Sequence, residues 1–116
     1  MSKQLSTSAK ISQQFGKRIL EQVIADGYGM KGKSKWVVEA IREFLKLDDY
    51  PELVDIADEM DNLNGVITFR LSEDLLVELE TAVVKIRKIY PSLEGVKSNI
   101  IRASILQRLI RKFQVT

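Results

Sequence analysis

The sequence predicts a mainly helical domain with one short antiparallel β-ribbon, built from a strand–helix–helix unit used twice. Three observations lead there. Residues 66–71, "VITFRL", alternate strictly between apolar and outward-facing positions. Two pairs of amphipathic helical segments follow serines. Residues 1–47 correspond faintly, position by position, to residues 66–116.

In the strand 66–71, Ile67, Phe69 and Leu71 share one face, and Val66, Thr68 and Arg70 the other. Ser72 is a favourable N-cap, and Glu73 and Asp74 suit a first helical turn. Leu75, Leu79, Val83, Ile86 and Tyr90 then form one helical stripe, ended by Pro91. After the turn "PSLEGVK", Ser98 is the expected cap of a second helix. Ile101, Ile105 and Leu109 align along it, widened by Leu106, Ile110 and Phe113.

The first part repeats this order. "STSAKI" (6–11) is the matching strand, although poor in β-branched and aromatic residues. Ser12 caps a helix with Phe15, Ile19 and Val23 on one face. Ser34 opens another, with Val37, Ile41 and Leu45 aligned and Trp36, Ala40 and Phe44 beside them. Lys10, Ile11, Ser12, Phe15 and Ile19 lie against Arg70, Leu71, Ser72, Leu75 and Leu79 at an offset of 60. Ser34, Val37 and Ile41 lie against Ser98, Ile101 and Ile105 at an offset of 64, the slack falling in the helix end and turn between. Between the units, residues 48–65 form an acidic connector. Leu53, Ile56, Ala57 and Met60 predict a short helix there, packed on the domain edge, before a turn at Asn64-Gly65.

Composition narrows the function. The chain has 116 residues, 45% of them apolar, with no cysteine and no histidine. Disulfides, thiol or imidazole catalysis and Cys/His metal sites are excluded. The 16 acids form no shaped acid–base pair: Glu73 and Asp74 read as helix-start residues, and Asp58 and Asp61 have no pocket. "GMKGKS" lacks the full phosphate-loop spacing and follows no strand. A non-enzyme without metal or cofactor is therefore expected. No signal peptide and no membrane helix are expected either, and the predicted location is cytoplasmic.

The net charge of +2 conceals a pattern. Residues 1–47 carry nine Lys/Arg and four acids, residues 48–65 seven acids and no base, and residues 66–116 nine bases and five acids. Two basic segments around an acidic one suit a polyanionic partner.

"RLSEDLLVELE" and "GKSKWVVEAIREFL", a strand-to-helix junction and a second helix opening on serine, resemble the ribbon-helix-helix family of DNA-binding proteins. Arg102 and Ala103 stand where the family's second helix usually has Arg and Glu. Val38 departs from the Arg position in the first unit. With both units in one chain, the likeness is to tandem members. It implies a tandem ribbon-helix-helix fold, an intrachain pseudo-dimer whose units 1–47 and 66–116 share one core. It also implies sequence-specific binding of double-stranded DNA by a β-ribbon in the major groove. The expected role is that of a plasmid transfer (relaxosome) accessory factor, with a relaxase or coupling protein as possible partner, or of a transcriptional repressor.

On this reading Ser6, Ser8, Lys10, Thr68 and Arg70 face the bases, with Arg70 suited to guanine O6/N7. Lys33, Ser34 and Lys35, and Lys97, Ser98 and Asn99, stand at the two second-helix starts as phosphate anchors. The unlike strands predict an asymmetric or imperfectly repeated DNA site, with copies side by side on it. The competing expectation is a helical protein-interaction module, antitoxin-like or adaptor, using its broad apolar stripes on a partner.

Overall fold

The structure is a computed structural model that describes residues 4–57 and 62–114. Met60, Asp58 and Asp61 lie outside the described residues. The elements run β1 (Gln4–Ile11), α1 (Gln13–Ala25), α2 (Lys33–Leu45), α3 (Tyr50–Ala57), β2 (Gly65–Ser72), α4 (Glu73–Ile89) and α5 (Val96–Gln114). The described residues are mainly helical with one two-stranded antiparallel sheet, as expected.

β1 pairs with β2 from Gln4↔Ser72 to Ile11↔Gly65. A lone ribbon is marginal in water and needs a packed face. Here Ala9, Ile11, Ile67, Phe69 and Leu71 supply that face, each almost fully buried. Burial rescues "STSAKI" from its weak propensity, because β-strand preference depends mainly on packing. The packing is crosswise: β2 lies on α2, and β1 lies on α5.

Ser12 and Ser72 end the strands and cap the helices that follow. Ser12 Oγ accepts from Phe15 N–H at 3.0 Å, and Ser72 Oγ from Leu75 N–H at 3.3 Å. The antiparallel register starts α1 and α4 from opposite ends of the ribbon. α2 and α5 make the most extensive helix–helix contact, with Trp36, Val37, Ile41, Ile100, Ile101 and Ile105 fully buried.

Several expectations need correction. First, neither Ser34 nor Ser98 caps a helix. α2 starts a residue earlier, after Gly32, and α5 starts at Val96, after Gly95. Gly32 is required by close approach, since a Cβ there would meet the Tyr28 carbonyl oxygen at 2.3 Å. Gly95 turns the chain with φ +59, which lets Val96 drop into the core and begin the helix.

Second, the connector is not confined to the edge. Tyr50 and Val54 of α3 enter the core, and α3 packs on α5. Third, α5 is buried on more than one face. Covered by α2, α3, α4 and β1, it buries Ile100, Ala103 and Ser104 besides the expected stripe and leaves Ile110 exposed. On α4, Ala82 takes the buried place expected of Val83, which is half-buried.

Candidate nucleic-acid interface

A two-stranded ribbon with one face buried must present the other. The outer face here consists of Gln4, Ser6, Ser8 and Lys10 on β1 and Val66, Thr68 and Arg70 on β2, all exposed. Across the ribbon Ser6 stands opposite Arg70, Ser8 opposite Thr68, and Lys10 opposite Val66. All five residues expected to face bases thus lie on one surface. Gln4 joins them because β1 starts two residues earlier than "STSAKI", an extension with no periodic signal strong enough to reveal it.

The ribbon is tied down from below at its two cationic residues. Ser34 Oγ, on α2, accepts from the Arg70 main-chain N–H at 3.0 Å. Arg102 Nη1, on α5, donates to the Lys10 carbonyl at 2.8 Å. Each strand is latched by the second helix that follows the other strand. Those main-chain groups therefore point away from the ribbon, so the outward-facing pairs are the narrow, non-hydrogen-bonded kind, with facing side chains close together. Such latches hold the ribbon's outer face in one fixed geometry.

The phosphate-anchor candidates divide. Lys33, Ser34 and Lys35 are at the first turn of α2, partly or fully exposed, and Lys35 Nζ sits 5.9 Å from the Tyr28 ring centroid. Lys33 also lines a shallow groove of about 270 Å³ with Lys17, Leu20, Gly65 and Val66, at one end of the ribbon. Lys97 and Ser98 are half-buried in the first turn of α5. Asn99 is a correction: it is wholly buried, donates from Nδ2 to the Glu94 carbonyl at 3.2 Å and accepts from Arg102 at Oδ1. It orients the Arg102 latch instead of meeting a phosphate.

A second polar cluster joins the α1–α2 turn and α2 to α5. Arg108 of α5 donates to the Trp36 carbonyl at 2.7 Å and to Tyr28 Oη at 3.0 Å, and pairs with Glu39 at 3.3 Å. Its guanidinium stacks 4.9 Å from the Trp36 ring centroid. Trp36 Nε1 donates to Asp26 at 2.8 Å, and Tyr28 Oη donates to Glu39. The Glu39 bond and burial raise the Tyr28 phenol above its usual value, against the opposing pull of Arg108. This network fixes the α1–α2 turn, and with it the start of α2, onto α5. Nothing local in the sequence marks Arg108 for this role, because its partners lie 69 to 80 residues away.

Among known proteins the chain matches no family model, no curated protein and no solved structure. Among the described residues no helix is long and apolar enough to cross a membrane.

Proposed function

We propose that the chain is a tandem ribbon-helix-helix protein, folded as an intrachain pseudo-dimer, that binds double-stranded DNA sequence-specifically through its ribbon in the major groove. The observation that carries this reading is the exposed outer face of Ser6, Ser8, Lys10, Thr68 and Arg70 on a ribbon locked to helices beneath it. B-DNA's major groove admits a two-stranded ribbon, and hydroxyls and cations match the acceptors on base edges.

The register supports the pseudo-dimer. Ser8 and Thr68 face each other and are also matched by the offset of 60. The same offset equates Lys10 with Arg70 and Ser6 with Val66, and the ribbon pairs Lys10 with Val66 and Ser6 with Arg70. A two-fold axis through the Ser8–Thr68 pair produces this pattern.

Lys33 and Lys35 beside the α2 start, and Lys97 beside the α5 start, supply phosphate contacts, which give affinity and salt dependence. The biological role is that of a cytoplasmic transfer accessory factor or repressor, with a relaxase or coupling protein as a further partner in the former case.

The test is a gel shift on upstream and transfer-origin duplexes at two salt concentrations, with Thr68→Ala/Arg70→Ala as the variant. Binding should be specific in the wild type, and the variant should fold normally and lose discrimination between matched and scrambled sites. Unchanged discrimination in the variant sinks ribbon reading. Absence of specific binding at low salt favours the rival, a protein-interaction module. That rival rests on exposed apolar residues at helical spacing, Leu20 and Ile24 on α1.

A further inference from the structure

The two ends of the ribbon are chemically unlike. At one end Arg70 faces Ser6, and Gln4 lies beyond, so every outward side chain is polar. At the other end Lys10 faces Val66, which is 64% exposed and is the one apolar side chain on the outer face. Single exposed apolar residues are ordinary on a protein surface. This one stands in the row that would meet base edges, beside a cation in a narrow cross-strand pair.

Only thymine presents an apolar group, its C5-methyl, in the major groove. We infer that the ribbon reads a non-palindromic duplex in which Val66 packs on a thymine methyl at the Lys10 end, while the Arg70 end reads by hydrogen bonds alone. This rests on the DNA-reading proposal above and deepens it. Lys10 is a compact point charge and takes a guanine acceptor beside that thymine. Arg70 offers a rigid fork suited to both guanine acceptors at once, so its end should be the more stringent for guanine. From Ser6, the partner of Arg70, to Lys10 is four residues along β1. At ~3.3 Å per residue the two cations are ~13 Å apart along the ribbon. That is about four base-pair steps of ~3.4 Å. The unlike contacts therefore fall on different bases of one site.

The experiment begins with a short duplex selected from a randomised pool by the full-length chain. Each thymine in it is then replaced by uracil, which deletes only the C5-methyl, and binding is measured with the wild type and with Val66→Ser. Toward one end of the site, one replacement should weaken wild-type binding about fourfold, the worth of one buried methyl. The same replacement should have no effect on Val66→Ser. Thymines at the other end should be insensitive in both proteins. Thr68 carries a methyl at the centre, so a central sensitivity that persists in Val66→Ser belongs to Thr68.

Specific binding with no uracil-sensitive thymine, a sensitivity at that end that survives in Val66→Ser, or selection of a palindrome overturns this inference and leaves ribbon reading standing. Failure to select any sequence overturns the DNA-reading proposal and this inference with it. The wild-type uracil scan does not depend on the variant, and circular dichroism checks that Val66→Ser keeps its fold.

Discussion

Trp36 does two things at once. Its ring is fully buried, with the Arg108 guanidinium stacked on it, and its Nε1 donates to Asp26. Trp36→Ala should therefore cost about 3–5 kcal/mol, a large share of the roughly 5–15 kcal/mol that holds a typical domain together. Urea unfolding measures it, and a loss under about 1 kcal/mol contradicts the packing described. Tyr28 has a pH signature. Its phenol is raised above the usual 10.0, first because it donates to Glu39 and then by burial. The folded state therefore holds the proton more tightly than the unfolded chain. This contribution is fully present below the unfolded value and is lost as pH rises through the raised folded one. Stability should fall above pH ~10, and Tyr28→Phe should make that fall shallower. Urea midpoints on either side of that pH compare the two proteins, and parallel curves refute the assignment.

At the scale of elements, the ribbon depends on its latches. Ser34 lies inside α2, where its hydroxyl satisfies a donor on β2 instead of one on its own helix. Ser34→Ala should cost about 0.5–1.5 kcal/mol, as for a typical hydrogen bond, and should speed hydrogen exchange at the Arg70 amide. By contrast, Ser12→Ala and Ser72→Ala remove true caps and should cost about 1 kcal/mol each. Exchange at the Arg70 amide separates the two kinds of serine, because cap removal frays α1 or α4 and leaves the α2 latch closed. An unchanged Arg70 exchange rate in Ser34→Ala means that the latch does not form. The strand–helix junctions were legible because alternation, a serine and a helical stripe follow one another within a few residues. The starts of α2 and α5 were misread because Gly32 and Gly95 act through a close approach and a left-handed turn, and serine two or three residues later offered a competing local signal.

At the scale of the molecule, the two strands and five helices of the described residues pack together within one chain. Folding that needs no second copy should give a thermal midpoint independent of concentration. Calorimetry over a hundredfold range in concentration checks this, and a midpoint that climbs with concentration means that a second copy completes the fold. The sequence by itself determined which residues form the ribbon's inner and outer faces, because a period of two admits only one assignment once Ile67, Phe69 and Leu71 are buried. It also determined the α1 and α4 caps and the order of elements. Only the tertiary structure decided that Tyr50 and Val54 join the core, that α5 is enclosed on more than one face, and that Asn99 serves Arg102. Those outcomes depend on contacts between residues far apart in the chain, such as Arg102 with Lys10 and Arg108 with Trp36. Local periodicity carries no information about which distant carbonyl a buried guanidinium will find.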